Sequence, residues 1–321
     1  MPSRSFKTVS FGFSTDADDA FMAYALHEGK VRIAGVQPRF RFADIEQLNE
    51  AVLRDRLDVS SISAALYPLV AKRYRILSVG ASVGRGYGPV VVSRVPWTLE
   101  QLVGRRIAIP GEWTTSHLLL RCYQPDAQVE VIPAAKLLTA VARGVADAGI
   151  VIHEGQLTYQ RFGLHLVEDL GRRWLDETGL PLPLGLMVAH ERLGRPLARS
   201  IADGIVRGIR YTQRTWPAAL SFLLPYAHGA DVKTLEEFLR RYVNDDTLAL
   251  PKDVKEALAV LYRRGVTARW IKSAPTIEVL TPSAGKPLPR PAVATVRRKP
   301  VAPRPASSHR KQTAPRPKRK P

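Results

Sequence analysis

Lys7 to Phe13 is a short run of β-branched and aromatic residues, followed by a polar segment, Ser14 to Asp19, and then apolar positions at helical spacing from Ala20 to Glu28, closed by Gly29. This pattern predicts strand, loop, helix. It recurs along the chain. Ile45 to Arg54 has helical spacing and Leu57 to Ile62 reads as a buried strand. Leu99 to Val103 makes a helical turn, Arg106 to Ile109 a strand and Thr114 to Cys122 a helix, before the helix Leu137 to Gly144 and the strand Asp147 to Ile152. Strands alternating with helices of this length predict parallel βαβ units and an α/β fold. Val90 to Ser93 and Gly185 to Ala189 read as extended segments on either side of the middle third, as expected if the chain crosses twice between two lobes. From Leu197 to Arg264 the pattern is mostly helical, broken at Pro217, Pro225 and Pro251, and this stretch is expected to pack back onto the first lobe. The expected division is 1–92 with 193–280 as a discontinuous first lobe, 93–192 as the second, and 281–321 as a tail.

Charge changes the picture mainly at the end of the chain. Of the net +19, 12 positive charges fall in Thr281 to Pro321, which has 10 prolines and no acidic residue; the remaining +7 is spread over the first 280 residues. Such a segment buries too little apolar area to offset its ordering entropy and is predicted to be disordered. One reading makes it a weak anchor for an anionic partner; the other makes it a solubilising tail. A single cysteine, Cys122, excludes an intramolecular disulfide and a cysteine-rich metal site. No run of apolar residues reaches membrane-spanning length, and Met1 to Phe13 shows no secretory pattern, so a cytoplasmic protein without membrane insertion is expected.

In open α/β sheets ligands bind beyond the carboxyl ends of the strands, which directs attention to Ser14 to Asp19, Ser60 to Ser63, Pro110 to Ser116, and His153 with Glu154. Asp16, Asp18 and Asp19 precede a helix, where they could bind a divalent cation; capping and dipole complementarity is the reading favoured here. Thr114, Thr115 and Ser116 open a helix and suit either an anion such as a carboxylate or plain N-capping. Gly80 to Gly88 is rich in glycine but leads into Pro89 and an extended run, so it reads as a crowded turn rather than a phosphate cradle. His153 ends a predicted strand and could serve as general base or as a hydrogen-bonded structural residue. With Gln156 and Leu157 following Gly155, it is not part of a His-Glu-x-x-His zinc motif.

The stretch Ile152-His153-Glu154-Gly155-Gln156-Leu157-Thr158-Tyr159 continues through Gly163-Leu164, Asp169-Leu170-Gly171 and Trp174 to Thr178-Gly179-Leu180-Pro181-Leu182-Pro183-Leu184-Gly185. It closely resembles the 1,4-dihydroxy-6-naphthoate synthase family of the futalosine route to menaquinone. Further similar stretches are Ser14 to Gly29, Ile45 to Asn49, Gly80 to Pro89, Pro110 to Thr115 and Tyr242 to Asn244, so the resemblance spans roughly Lys7 to Val266. The resemblance implies a two-lobed fold like the type 2 periplasmic binding proteins, with the active site in the cleft. It also implies a carbon-carbon lyase that converts cyclic dehypoxanthinylfutalosine to 1,4-dihydroxy-6-naphthoate and dihydroxyacetone, with no metal or organic cofactor. By the same resemblance His153 is the proton acceptor, Thr114 and Thr115 contact substrate, and Ser61 to Ser63 form a second contact. Ser61 and Ser63 are then expected to hold sugar-derived hydroxyls together with Ser14, Asp16 and Asp19, while Trp113 either stacks on the aromatic moiety or packs internally. The loop Ser14-Thr15-Asp16-Ala17-Asp18-Asp19 departs from one family pattern and fits another, Ser-Pro-Asp-x-Asp-Asp. Ser61 stands where some members carry lysine.

The competing reading is a solute-binding protein for a small anionic or polyhydroxylated ligand, since a shared fold does not fix function. A chorismate dehydratase-like enzyme is a third reading, less well matched by the His-Glu and Pro-Leu-Pro-Leu-Gly stretches. Specific nucleic-acid binding ranks last, because the positive charge is concentrated in a tail without a recognition domain. The sequence leaves the oligomeric state open.

Overall fold

The computed structural model describes residues 6 to 282. The expectation of a disordered basic tail falls on residues that, from 283 on, lie outside the described ones. Among those described, the first six strands are β1 (Lys7–Ser14), β2 (Val36–Ala43), β3 (Val59–Ser63), β4 (Tyr74–Leu77), β5 (Ser82–Gly84) and β6 (Val90–Ser93). The remainder are β7 (Arg106–Ile109), β8 (Gln128–Val131), β9 (Ala148–Val151), β10 (His165–Asp169), β11 (Leu182–His190) and β12 (Val279–Leu280).

They form two sheets. The larger runs β12-β4-β11-β3-β1-β2, with β5 also paired to β11; the smaller runs β10-β6-β9-β7-β8. Within the larger sheet β1 is parallel to β2 and β3, and β11 lies antiparallel to β3 and β4. In the smaller, β7 is parallel to β8 and β9, while β6 runs antiparallel to β9 and β10. Each sheet therefore has the parallel βαβ units that the alternating pattern predicts, together with one strand that reverses direction. The two strands read as crossing segments fall in different sheets: β6 opens the smaller and β11 returns the chain to the larger.

β2 escapes the sequence reading. Its pattern, Val-Gln-Pro-Arg-Phe-Arg-Phe-Ala, includes a proline, which cannot donate to a ladder, and two arginines. The structure puts it at the sheet edge, with Pro38 opposite Val9, where a missing N–H and a solvated face are tolerated.

The C-terminal helices cover the larger sheet, as expected. The helix Arg195–Arg214 buries Ala198, Ile201, Ala202, Ile205, Ile209 and Thr212 along one face. These apolar residues join Val9, Phe11, Phe13 and the helix Ala17–His27 in one core cluster. Gly204 is needed for close packing, because a Cβ there would lie 2.4 Å from Ile33 Cγ1. A second cluster includes Ile62 and Leu186 from the larger sheet and Ile107, Ile109 and Ile150 from the smaller. The helix Lys252–Thr267 adds Leu258, Leu261 and Tyr262 to it, and the Tyr262 hydroxyl donates to Ala64 O at 3.2 Å. The two sheets thus share a continuous apolar base, and the cleft lies between elements from both.

The glycine-rich segment is the crowded turn its sequence suggests. A Cβ on Gly84 would fall 2.0 Å from Tyr87 O, and Gly86 has φ +83°, so the backbone packs on itself instead of opening around a phosphate.

Candidate active site

The cleft encloses about 670 Å³ of space, part of it open to solvent, and every site residue expected from the sequence lines it. Ser14, Asp16 and Asp19 come from the end of β1 and the start of the helix Ala17–His27; Ser61 and Ser63 come from β3. From the smaller sheet Thr114, Thr115 and Ser116 follow β7, and His153 follows β9. Trp113 is absent from the lining. It packs edge-on against Trp270 with ring centroids 6.3 Å apart, so the internal packing reading fits it.

Of the reading favoured from sequence, the capping half fails, while Asp18 and Asp19 do stand in the first turn of the helix, where its dipole favours acidic groups. Asp16 occupies the N-cap position without a side-chain cap bond. Its Oδ2 instead accepts from the Ser14 hydroxyl at 2.5 Å, and its Oδ1 faces His153 Nε2 at 3.1 Å. Asp18 accepts from the Ser82 hydroxyl and Asp19 from the Ser14 main-chain N–H, each at 2.5 Å. All three carboxylates are buried. What overrides capping is the turn after β1, which aims these side chains into the cleft.

Burial sets the charge pattern. Burial would raise Asp16, but the nearby His153, His228 and the Ser14 hydroxyl together hold its carboxyl below the usual range. Asp18 is pushed well above the carboxylate range by burial and by the charges of Asp19 and Asp16. Burial raises Asp19 to about 6 against the hydrogen bond from the Ser14 main-chain N–H. His153 is pushed below the ordinary histidine value, chiefly by burial, against the pull of Asp16. One ionised carboxylate, Asp16, therefore faces a neutral imidazole. About 20% of the His153 side chain remains accessible. Its backbone has φ +58°, a left-handed conformation that a non-glycine residue adopts at a cost of about 1–3 kcal/mol.

Of the anion-binding and capping readings, capping holds for Thr114. Thr114 caps the helix Thr115–Tyr123: its Oγ1 accepts from His117 N at 3.3 Å and donates to Gly111 O at 2.9 Å. Thr115 Oγ1 donates to Leu184 O at 2.7 Å and accepts from Ala65 N at 3.2 Å. Both hydroxyls are thus committed within the protein. The main-chain N–H groups of Thr115 and Ser116, which have no acceptor inside their own helix, are the donors left for an anion. Ser61 is different, because its buried Oγ has no hydrogen-bond partner in the protein. Ser63 is fixed by Asn49, which accepts from Ser63 N at 2.9 Å and donates to Ser63 Oγ at 3.1 Å.

Several lining residues were not singled out from sequence. Gln156 and Tyr242 pair at 2.9 Å, and with the Gln156 amide oriented to satisfy its neighbours, its oxygen accepts from His153 N at 3.2 Å. Both lie inside stretches that carried the family resemblance, so their signal was present without an assigned role. His228, which lies outside the cleft lining, had no such signal. Its Nε2 approaches Asp16 Oδ1 at 3.3 Å from the loop before the helix Val232–Tyr242.

Two mixed α/β lobes around a cleft define a type 2 periplasmic-binding-protein-like fold. The alkanesulfonate-binding protein SsuA of Xanthomonas axonopodis pv. citri, solved with MOPS, aligns at a TM-score of 0.64 with 15% identity, covering 86% of this chain and 97% of that one. An Archaeoglobus fulgidus protein of known structure aligns at 0.78 with 36% identity, covering 84% and 100%. A 1,4-dihydroxy-6-naphtoate synthase of Thermus thermophilus is 36% identical over 256 residues, which are 80% of this chain and 93% of that protein. The family described as Menaquinone biosynthesis matches residues 9–267, and the chain belongs to it.

Proposed function

We propose that this chain is a 1,4-dihydroxy-6-naphthoate synthase, a carbon-carbon lyase acting on cyclic dehypoxanthinylfutalosine. The observation that carries the reading is the buried Asp16–His153 pair at 3.1 Å in a cleft lined by both sheets. A solute-binding protein needs hydrogen bonds to its ligand but no unprotonated base beside a carboxylate.

In this reading the Asp16 carboxylate, 3.1 Å from His153 Nε2, holds the imidazole by charge, and His153 takes a proton from the cyclised sugar portion. The electrons released on deprotonation break a carbon-carbon bond, dihydroxyacetone departs, and the ring system becomes aromatic. His153 as imidazolium is then stabilised by the Asp16 carboxylate. The substrate carboxylate lies at the N–H groups opening the helix Thr115–Tyr123, beside Thr114 and Thr115. Ser61, Ser63, Ser14 and Asp19 hold the sugar-derived hydroxyls, with Ser61 Oγ the one that has no other partner. We place the lobe divisions before β6 and before β11 rather than at the expected 92/93 and 192/193, since β6 pairs within the smaller sheet and β11 within the larger, and closure keeps His153 beside Asp16 at the substrate.

No helix among the described residues is long and apolar enough to cross a membrane. A biosynthetic enzyme of this kind fits the cytoplasm, and its partner is its small-molecule substrate. The test is incubation of the purified protein with the cyclic intermediate, following naphthoate and dihydroxyacetone in equal amounts. Tight binding without turnover would return the chain to the solute-binding reading.

A further inference from the structure

Asp16 Oδ1 has two imidazole neighbours. His153 Nε2 reaches it at 3.1 Å from the loop after β9, and His228 Nε2 at 3.3 Å from the loop between the helices Trp216–Leu223 and Val232–Tyr242. The rings lie nearly parallel, with an interplanar angle of 22° and centroids 6.1 Å apart. Both histidines have left-handed backbones, φ +58° and +48°, a conformation rare outside glycine. Two strained residues from distant parts of the chain therefore converge on one oxygen.

His228 does not line the substrate cleft. It lines a second cavity behind it, together with His153, Glu154, Gly229, Ala230 and Arg161. Any influence on the reaction therefore passes through Asp16 and His153.

We propose that His228 is a positioning residue that, as an imidazolium bound to Asp16, keeps His153 unprotonated and ready to act as base at neutral pH. The inference rests on the lyase reading for the reaction it serves. Its logic is electrostatic. A buried Asp–His pair alone favours the ionised pair, in which the histidine already holds the proton it should be taking from substrate. A second positive charge on the same carboxylate satisfies Asp16 and repels a proton from His153.

The surrounding charges agree with this. The hydrogen bond to Asp16 and the charge of Asp16, helped by Glu154, raise His228 to about 9 against burial. His228 in turn adds to the burial that lowers His153, while Asp16 and Asp44 oppose it. Arg161, in the same cavity, is engaged by Asp231 at 3.1 Å. Glu154 is itself raised to about 7 by burial and Asp16, so it competes weakly for the imidazolium.

The test is an NMR titration of the labelled imidazoles in the substrate-free full-length protein, paired with a pH profile of kcat/KM. In the unmodified protein His228 should titrate above His153. His228→Gln keeps a donor near Asp16 but removes the charge. It should move both the His153 titration and the acidic limb of kcat/KM to higher pH by on the order of one pH unit. His228→Lys, which restores a cation, should move them back. An unshifted His153 in folded His228→Gln would reduce His228 to a structural role. So would His228 titrating below His153 in the unmodified protein, a measurement that needs no variant to fold. If the cyclic intermediate is not turned over at any pH, the lyase reading fails while the titration still decides the coupling.

Discussion

Glu46, on the helix that follows β2 of the larger sheet, accepts the main-chain N–H of Trp113, on the loop that follows β7 of the smaller, at 3.0 Å. The contact joins the two sides of the cleft beside Thr114. It is tight enough to require a glycine, since a Cβ on Gly111 would lie 2.4 Å from Glu46 Cδ. Glu46→Ala is expected to leave a part-buried N–H unpaired and to favour an open cleft. Stability should fall by about 1–3 kcal/mol and KM should rise more than kcat falls, read by urea unfolding and steady-state kinetics. Gly111→Ala should reproduce the KM effect by pushing Glu46 away. An unchanged KM in both would show that the contact does not govern closure.

His153→Ala should reduce turnover of the cyclic intermediate by about 10²- to 10⁴-fold, the usual contribution of a general base. The fold should survive, because His153 lines the cleft and does not belong to the apolar core. Substrate affinity, measured by calorimetry on the inactive variant, should change little. Turnover matching that of the unmodified enzyme would require another base.

The fold was largely legible in the sequence because most strands are apolar runs placed between helices of clear period. β1, β6 and β7 begin where their patterns do, and Arg195–Arg214 packs by its apolar face. β2 was hidden by Pro38 and by the solvated alternation of an edge strand. At the site, the loops after β1, β3, β7 and β9 were legible because parallel strands place their carboxyl ends at one cleft. The use made of each side chain was not. Asp16 has the sequence context of a cap and the geometry of a histidine partner, a choice made by β9 arriving from the other sheet. His228 carried no motif and becomes visible only when the chain returns to Asp16 from 212 positions away.

Ser61 and Thr115, both expected to contact substrate, should respond differently to losing their hydroxyls. Thr115→Val strands Leu184 O and Ala65 N, and should lower stability by about 1–3 kcal/mol with a secondary effect on kinetics. Ser61→Ala removes a buried hydroxyl that has no protein partner, so stability should hold or rise slightly. Its KM should increase by about 5- to 20-fold if one neutral hydrogen bond to substrate is lost. Urea midpoints and steady-state kinetics on the two variants separate these outcomes. A stable Thr115→Val with a Ser61→Ala of normal KM would reverse the assignment.

Stability should decline as the pH rises from about 4 to about 9, an unusual direction for a protein with ion-paired carboxylates. Glu154 has both carboxylate oxygens buried without a partner, and burial raises it from 4.5 to about 7; Asp19 is raised from 3.8 to about 6, and Asp18 further. Each binds its proton more tightly folded than unfolded. The stabilisation is therefore complete below the unfolded value and lost as the pH rises through the folded one. His228, raised from 6.5 to about 9, loses its contribution over that later interval. His153, His117 and His190 act in the opposite sense at pH values below 6.5 and Asp16 below 3.8, so none restores stability on the alkaline side. Glu154→Gln removes one ionisable group without changing its shape. It should raise stability at pH 8 by on the order of 2 kcal/mol relative to the unmodified protein and flatten the slope between pH 5 and 7. Urea unfolding at pH 5, 7 and 8 decides the matter, and an unmodified protein more stable at pH 8 than at pH 5 would mean that these buried carboxylates remain ionised in the folded state.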